Sequence, residues 1–497
     1  MAIDRAGGGR GATNLSGQRR FLKRCRKAVA VGTDQERAAV TVDMLYKDIM
    51  SATFIHLSDI HFGQERDERV HTHADVKEQL IADAAEVVRA LSGGVAHGIL
   101  VTGDIASSGL QEQYDAAGAW LDSLAQAVGC EIFRIQMVPG NHDVDRGKQS
   151  MGAKHLLDVI RQGGATEYES ILANDIDRAS LFARFEDYGR FCEGYDCALD
   201  VEGRYSTNLL VELAPGRAIR FVRMNSSLLC TGSETDEAPE LMVGARQFTV
   251  PRVEGEEAVV LIHHPLSWCK DNVDAKRYLQ NRARVMISGH EHEPRVAVET
   301  IEPGSDLLIL AAGATVPFKS DEVYTFTYNV IEFDWDAKAD ALLVTIHPRA
   351  WNPTRTRFEA DEMRLGGKEP KFVLGSPNFR KRARPNDAAE PAAGEPPADE
   401  AEPVMEVVAA SDAQGEPAMP HDVKGYGLVL LRFFRDLTEG ERLRILVELD
   451  AVDIGSNERM TQSVERQLLD YLVREGRIGE VERMINELVS SRRKDAR

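Results

Sequence analysis

The chain has 497 residues, of which 43% are hydrophobic and 28% charged, and its 80 acidic side chains outnumber 60 basic ones, for a formal net charge of −20. This length accommodates about two to four domains, and the acidic balance excludes a surface that coats nucleic acid along its whole face. No apolar run approaches the roughly 18 residues that span a bilayer, and no signal-peptide core follows the N-terminus, so we expect a cytoplasmic protein without a membrane contact.

Six cysteines are scattered along the chain without a Cys-x-x-Cys pair or a dense framework. Such spacing predicts reduced thiols, as is usual in the cytoplasm. Cys192 and Cys197 are close enough in sequence to pair, but we expect them to stay unpaired.

Residues 1–49 open with a glycine-rich run and continue with a basic stretch at 19–27. An organellar transit peptide, a nucleic-acid-binding arm and a dispensable tail behind an over-long start assignment all fit this composition. Because the first predicted strand begins at Thr53, shortly after Met50, we favour the tail and predict a disordered basic extension.

Residues 50–365 are predicted to form an α/β domain, because apolar strand-like runs alternate there with helical patterns such as 76–91 and 111–128. Late strands are expected at 307–310, 324–333 and 341–346. The last two are joined by a turn-rich segment, so we expect an antiparallel hairpin and therefore mixed sheets.

A long segment of the domain, about 144–218, is predicted to be a helical insertion. It contains several aromatic side chains, at Tyr168, Phe182, Phe185, Tyr188, Phe191 and Tyr195. A packed insertion and a cap over a functional site both fit this pattern, and the two interpretations are compatible.

Residues 366–424 are rich in Pro, Ala, Gly and acid, which predicts a disordered linker. Residues 425–497 follow as four short amphipathic helices, predicted at 428–437, 441–449, 463–474 and 481–489. Thr438 and Glu441 have capping-box spacing for the second helix, and Gly476 is placed to end the third. This bundle lacks a catalytic cluster and is predicted to be an interaction module, with a plain structural tail as the alternative.

Five short segments rich in histidine and aspartate occur along the chain, and each follows an apolar, β-branched run. The segments are Asp59–His61, Gly103–Asp104, Gly140–Asp143, His263–Pro265 and Gly289–His292. Ligands at strand ends are held rigidly, so this pattern is typical of a two-metal hydrolase. Phosphoester hydrolysis needs a strong nucleophile and neutralisation of the phosphate charge, and two ions about 3.5–4 Å apart provide both. Carboxylate and imidazole ligands suit Mn, Fe, Zn, Ni or Co, and the sequence alone does not choose among them.

The segments resemble the signature of the calcineurin-like metallophosphoesterases: DxH, GD, GNH(D/E), a later His at a strand end, and GHxH. All five occur here in order, and the resemblance covers about residues 53–350. It implies a four-layer sandwich of mixed sheets flanked by helices, with two divalent or trivalent metal ions. A hydroxide bridging the ions would attack a phosphodiester or phosphomonoester.

The resemblance also implies two ligand sets that share one aspartate, namely Asp59, His61, Asp104 and His292 for one ion, and Asp104, Asn141, His263 and His290 for the other. His142 would then be the general acid or transition-state donor, with Asp143 orienting its ring. His264 competes with His263 for the ligand role; the family places the ligand two residues before the proline, which favours His263. The remaining histidines, His56 among them, are expected to be ordinary surface or core residues.

The amino-acid sequences of the first three segments are similar to those of a bacterial branch of phosphoesterases that is often fused to regulatory or immune-type modules. The C-terminal helices are similar to the adaptor-like domains of such conflict systems.

We therefore predict a metal-dependent phosphoric ester hydrolase whose substrate is a phosphorylated small molecule or nucleic acid, with a nucleotide or nucleic-acid phosphodiester favoured. Residues 425–497 would bind a protein partner or self-associate. Two alternatives stay open, a phosphoprotein phosphatase and a non-enzymatic scaffold that presents the helical module.

Overall fold

The computed structural model describes residues 51–65, 69–235, 237–292, 294–317, 325–365, 369–379, 425–452, 460 and 462–495. The described residues all belong to the unit formed by residues 51–497. The predictions for residues 1–49 and 380–424 lie outside the described part.

Within that part, seven strands form a first mixed sheet. Its members are β1 (Ala52–Leu57), β2 (Gly98–Val101), β3 (Ile135–Met137), β10 (Thr327–Asp336), β11 (Ala341–Asn352), β12 (Arg357–Ala360) and β13 (Lys371–Leu374). β1, β2 and β3 are parallel neighbours, and β1 pairs antiparallel with β10. The predicted hairpin is confirmed, since β10 and β11 pair antiparallel over their length.

A second sheet contains six described strands, β4 (Leu210–Ala214), β5 (Arg217–Arg223), β6 (Glu256–Leu261), β7 (Ala283–Ser288), β8 (Arg295–Glu302) and β9 (Ser305–Ala311). β5, β6, β7 and β9 run parallel, and β4 and β8 are antiparallel edge strands. All five strands predicted before the histidine and aspartate segments are therefore present.

The two sheets stack through a shared aromatic core. The Phe54 ring lies 4.8 Å from that of Phe221 on the opposite sheet and 5.7 Å from that of Phe333. Ile55, the next residue after Phe54, instead joins the core under the helices, because successive side chains of a strand point to opposite faces. Both faces of β1 are buried, which explains its continuous apolar sequence.

Helices cover the outer faces of the sheets, which confirms the predicted fold class of mixed sheets flanked by helices. They are α1 (Arg69–Ala90), α2 (Gln111–Val128), α3 (Met151–Gly163), α4 (Ala165–Ala173), α5 (Asp175–Phe182), α6 (Glu186–Gly194), α7 (Ala245–Phe248) and α8 (Asn272–Gln280). α2 has the predicted bounds, and Gly129 ends it with a left-handed φ of 69°.

The predicted helical insertion differs from the structure in its second half. Its helices α3 to α6 end at Gly194, and residues 210–218 instead enter the hairpin of β4 and β5. Leu210–Ala214 alternates exposed and buried positions, which is the period of an edge strand rather than of a helix.

The folded domain also continues beyond the predicted start of the linker at 366. β13 pairs with β11, and Phe379 is buried in the core between the sheets. This short strand with a single buried aromatic beyond it is too weak an apolar signal to stand out from a polar, proline-rich context.

The C-terminal helices form a bundle with its own apolar core, and these helices are α9 (Tyr426–Arg435), α10 (Glu439–Glu448), α11 (Gln462–Arg474) and α12 (Ile478–Asp495). Glu441 accepts a hydrogen bond from the Thr438 backbone at 2.8 Å, as the capping-box spacing predicts. Gly476 adopts a φ of 76° after α11, as predicted for a helix stop.

The bundle packs on α6 of the sandwich. Arg466 forms ion pairs with Glu193 at 2.7 Å and with Asp196 at 2.9 Å. Gln462 donates to the Gly189 carbonyl at 2.7 Å, and Arg435 pairs with Asp122 on α2. The α9 and α11 helices of the bundle therefore contact α2 and α6 through charged and polar side chains.

Two further expectations concern thiols and membranes. The cysteines in the described part are unpaired, as predicted for Cys192 and Cys197. None of the described helices is long and apolar enough to cross a membrane.

Candidate metal centre

The segments that carry the candidate ligands meet where strands of the two sheets end. β1 and β2 are parallel neighbours in one sheet, and β6 and β7 are parallel neighbours in the other. The carboxyl ends of parallel strands lie at one edge of a sheet, so these loops converge. The structure thus brings together all seven predicted ligands, Asp59, His61, Asp104, Asn141, His263, His290 and His292.

Most of these ligands sit on unusual backbone. The φ angles are 54° at Asp59, 52° at His61, 54° at Asp104, 72° at His290 and 57° at His292. The left-handed region is uncommon for residues other than glycine, although Asp and His tolerate it better than most, and it concentrates at functional sites.

Backbone hydrogen bonds lock the first two loops together. The Asp59 amide donates to the Gly103 carbonyl at 3.0 Å, and the His61 amide donates to that of Asp104 at 2.9 Å. These hydrogen bonds hold the loops in their left-handed conformations, which is how a preorganised site is built.

One group of ligand atoms gathers around Asp59. His292 Nε2 lies 3.2 Å from Asp59 Oδ1, and His61 Nε2 lies 3.9 Å from the same oxygen. His61 Nε2 also lies 3.9 Å from Asp104 Oδ2. These four residues are the first ligand set that the family resemblance implies.

A second group gathers on the other side of Asp104. His263 Nε2 lies 3.5 Å from Asp104 Oδ1 and 3.1 Å from Asn141 Oδ1, and the His290 ring is centred 5.1 Å from that of His263. The two oxygens of Asp104 thus face different groups, so this carboxylate could contribute to holding an ion in either group.

Neighbouring polar atoms fix the ligands in place. His263 Nδ1 donates to the Thr102 carbonyl at 2.7 Å, so Nε2 carries the lone pair that faces Asp104. Ser58 Oγ donates to Asp59 Oδ2 at 2.6 Å, and the His290 amide donates to the same oxygen at 3.1 Å.

The electrostatics of the cluster suit metal ions. Burial lowers the pKa of His61 to about 4 and that of His290 to about 4, so both imidazoles are neutral and able to ligate. Burial opposes ionisation of Asp59, but the hydrogen bond and the charge of His292, with smaller contributions from the neighbouring imidazoles, together outweigh burial and keep the Asp59 pKa below its usual range. Carboxylate oxygens beside imidazole nitrogens match the donor set of Mn, Fe, Co, Ni or Zn.

The structure places His142 and Asp143 on different partners. His142 lies beside the cluster with its ring 4.8 Å from that of His61, and its Nδ1 donates to the Ser107 carbonyl at 3.0 Å. The carboxylate of Asp143 turns away from this ring. It accepts hydrogen bonds from the amides of Ala106 at 2.9 Å and Gly140 at 2.9 Å.

Asp143 therefore holds the loops that carry Asp104 and Asn141, and the Ser107 carbonyl takes the expected place of Asp143 beside the His142 ring. Burial, with a smaller contribution from the negative charge of Asp104, raises the pKa of Asp143 to about 6. Tyr114 of α2 adds a further donor, with its hydroxyl 3.0 Å from Asp143 Oδ1.

His264 lies behind the cluster. Its Nδ1 is 2.8 Å from Ser226 Oγ and its Nε2 is 3.8 Å from Cys230 Sγ. Its ring nitrogens belong to the same group of ligand atoms as those of His263 and His290, so proximity alone does not separate the two neighbours. The contact of His263 with Asp104 and Asn141 favours His263.

Some residues at the site were missed by the sequence analysis. The Trp268 ring stands perpendicular to that of His290 with centroids 4.3 Å apart. Tyr114 and Ser107 support the loops as described above. Tyr114 lies in an ordinary amphipathic pattern, and Ser107 acts through its backbone, so neither leaves a sequence signal. Ser58 lies directly before the first segment and is the one whose position hinted at a role.

Comparisons with known proteins agree with this arrangement. Residues 52–294 match the family model of the calcineurin-like phosphoesterases, and residues 425–487 match that of the GTPase-associated adaptor domain. A protein of Bacillus subtilis (strain 168), named uncharacterized metallophosphoesterase-like protein YydB, is 21% identical over 296 residues. That alignment covers 58% of each protein, so the chain spans less than two thirds of this relative.

This chain also matches solved structures at low sequence identity. The purple acid phosphatase PPD1 from yellow lupin (Lupinus luteus) is 10% identical with a TM-score of 0.35, and the match covers 67% of this chain and 57% of that one. The sulfate thiohydrolase SoxB of Thermus thermophilus is 14% identical with a TM-score of 0.31, and the match covers 64% of this chain and 60% of that one.

Proposed function

Because the chain contains a calcineurin-like phosphoesterase domain at residues 52–294 and a GTPase-associated adaptor domain at 425–487, we propose that it is a dinuclear metal-dependent phosphoesterase. Its favoured substrates are phosphodiesters of nucleotides or nucleic acids. The observation that carries the proposal is the Asp104 carboxylate, whose two oxygens face two separate groups of ligands.

The residues of the centre divide by role. Asp59, His61, Asp104 and His292 would hold one ion, and Asp104, Asn141, His263 and His290 the other. When bound, the two ions would neutralise phosphate charge and lower the pKa of water. Burial of the ligands keeps bulk solvent from competing for them.

His142 is the proposed proton donor to the leaving oxygen. Its Nδ1 is engaged by the Ser107 carbonyl, so Nε2 is the ring atom that gains and gives a proton. The Ser107 carbonyl also sets the ring orientation. Asp143 is proposed to position the ligands rather than to contact the substrate. Its carboxylate accepts hydrogen bonds from backbone amides in the loops that carry Asp104 and Asn141.

The reaction class can be tested with bis(p-nitrophenyl) phosphate. We expect the purified full chain to lose hydrolysis after chelation and to regain it with Mn, Ni, Zn or Fe. Absence of hydrolysis with every one of these metals would sink the proposal. A panel of cyclic nucleotides, single- and double-stranded nucleic acids and phosphopeptides would then separate the phosphodiesterase from the alternative phosphoprotein phosphatase.

The adaptor domain is proposed to recruit a protein partner or a second copy of the chain, in keeping with a role in a bacterial conflict system. The support is its separate apolar core and the family description of an adaptor. Deleting residues 425–497 should abolish partner binding or self-association and leave hydrolysis of bis(p-nitrophenyl) phosphate in place. A full chain that stays monomeric and loses no protein partner when residues 425–497 are deleted would contradict this part.

A further inference from the structure

A cavity of about 200 Å³ opens beside the candidate metal centre. Asn141 and His142 form the side of the cavity nearest the centre, and Arg146 lines it as well. The other lining residues are small or apolar apart from one carboxylate, and they are Ser107, Ser108, Leu110, Val144, Asp145 and Gly147. A group bound to the centre could therefore extend into this space.

Arg146 is the cation of this cavity. Its side chain is exposed and, in the described part of the chain, makes no ion pair. Lys148, two residues later, differs in this respect, because it pairs with Glu186 at 3.0 Å and Asp187 at 3.1 Å. Arg146 thus keeps its full charge available for a ligand.

The surroundings of Arg146 seat the guanidinium without neutralising it. A side chain at Gly232 would collide with it, since an ideal Cβ there would lie 2.5 Å from Arg146 Cζ. Asp145, the carboxylate in the lining, is already engaged, because it accepts a hydrogen bond from the Gly147 amide at 2.8 Å. The guanidinium therefore lies against glycine backbone, next to a carboxylate with a local partner.

We propose that Arg146 binds a second phosphate group of the substrate, next to the phosphate that is cleaved. This inference rests on the proposed phosphoesterase function. A guanidinium matches phosphate with two parallel hydrogen bonds, and a chain with a net charge of −20 needs a local cation to accept a second anion. The substrate class is thus a nucleotide ester with at least two phosphates rather than a cyclic mononucleotide.

Dinucleotides provide the test. The metal-loaded full chain is given dTpdT, which has one phosphodiester, and the two forms phosphorylated at either end, pdTpdT and dTpdTp. We expect kcat/KM for one phosphorylated form to exceed that for dTpdT by about tenfold or more, through a lower KM. In Arg146→Ala this ratio should fall to about one, and Arg146→Lys should keep part of it as a simple point charge.

The control is Arg277→Ala, an exposed arginine on α8 that pairs with Asp274 within its own helix. It should keep the wild-type ratio. Thermal unfolding of each variant checks that the fold is intact, which is expected because both arginines are exposed.

The outcomes separate this inference from the proposed function. If bis(p-nitrophenyl) phosphate is hydrolysed with none of the metals, both the proposed function and the role of Arg146 are wrong. If that ester is hydrolysed, three results would overturn the role of Arg146 and leave the phosphoesterase in place. They are a wild-type ratio of kcat/KM near one between the phosphorylated and unphosphorylated dinucleotides, no cleavage of any dinucleotide, and a ratio that does not change in Arg146→Ala.

Discussion

At the scale of single residues, the candidate centre depends on how a few side chains divide their contacts. Asp104 offers one oxygen to each ligand group, and His142 approaches the cluster while its Nδ1 is held by Ser107. The carboxylate of Asp143 accepts hydrogen bonds from backbone amides and from the Tyr114 hydroxyl. Each of these residues therefore has a separable effect on metal content and turnover.

Substituting Asp104 should affect both ions. In Asp104→Ala we expect the metal content measured by mass spectrometry to fall from about two ions per chain, because both groups lose their shared ligand. Several kcal/mol of transition-state stabilisation depend on the ions, so turnover should fall by about 10³-fold or more. The exposed Asp274→Ala serves as the control, and an Asp104→Ala protein with full metal content and activity would contradict the shared-ligand role.

Substituting His142 should affect turnover but not metal content. We expect His142→Ala to slow hydrolysis by about 10²–10⁴-fold, which is the usual contribution of a general acid. The loss should be larger for dTpdT than for bis(p-nitrophenyl) phosphate, because a poor leaving group needs the proton more. Loss of a metal ion, or equal losses on both substrates, would show that His142 does not act as the acid.

His56 gives a prediction about pH. It is fully buried between Thr102 and Asn329, with hydrogen bonds of 3.0 and 3.2 Å. Burial, with a smaller contribution from Arg364, lowers its pKa to about 3. The unfolded chain binds a proton there near pH 6.5, so the folded state loses stability as pH falls from about 6.5 towards 3.

Between pH 7 and pH 5 this loss amounts to about 2 kcal/mol. Urea unfolding of the chelated protein should therefore show that His56→Gln, whatever its stability at pH 7, loses about 2 kcal/mol less than the wild type on this acidification. Parallel losses in the two proteins would refute the assignment of a buried neutral imidazole.

At the scale of elements, α6 connects the adaptor domain to the loops of the centre. Phe191 of α6 stacks on Tyr114 of α2 with ring centroids 5.0 Å apart, and Tyr114 donates to Asp143. On its other side α6 receives Leu431 and Arg466 of the bundle. The α6 helix, which was predicted as part of the helical insertion, thus contacts α2 on one side and the C-terminal bundle on the other.

Removing the charge of Arg466 tests this contact. In Arg466→Ala we expect the adaptor helices to be destabilised by about 2 kcal/mol, since the buried carboxylate of Glu193 would lose its ion pair and Asp196 would lose its contact with the guanidinium. Hydrogen exchange should accelerate in residues 425–495 relative to 52–294. The matched control is Arg483→Ala, whose exposed pair with Glu487 contributes about 0.5 kcal/mol. Equal exchange rates in both variants would argue against a stabilising interface.

At the scale of the whole molecule, the candidate centre lies between the two sheets. Asp59 and Asp104 come from the first sheet, and His263 and His290 from the second. Ions bound to both sets would tie the sheets together and relieve the repulsion between buried carboxylates. Metal binding should therefore report on the stability of the entire sandwich.

Metal loading should raise the melting temperature of the sandwich. At a free metal concentration one hundred times the Kd, each site adds about 2.7 kcal/mol of stability. Calorimetry of the chelated chain with and without Mn would show the shift, and Asp104→Ala would show little of it. Equal melting temperatures for the chelated and loaded wild type would contradict a site between the sheets.

Much of this architecture follows from local sequence. The five strands before the histidine and aspartate segments, the bounds of α2 and the capping box of α10 were predicted because apolar runs, helix stops and caps are short-range signals. β8 and β13 are among the strands that were missed. β8 is largely half-exposed, and β13 has only four residues, so neither forms the continuous apolar run of a buried strand.

By itself, the sequence determined the α/β class, the family resemblance and the residue types of the centre, because side-chain identity and periodicity are properties of neighbouring positions. Only the tertiary structure decided that Ser107 rather than Asp143 faces His142, that Asp104 lies between two groups, and that Arg146 lines a cavity beside them. These contacts join loops far apart in the chain, and they depend on strand order and sheet packing, which no local pattern records.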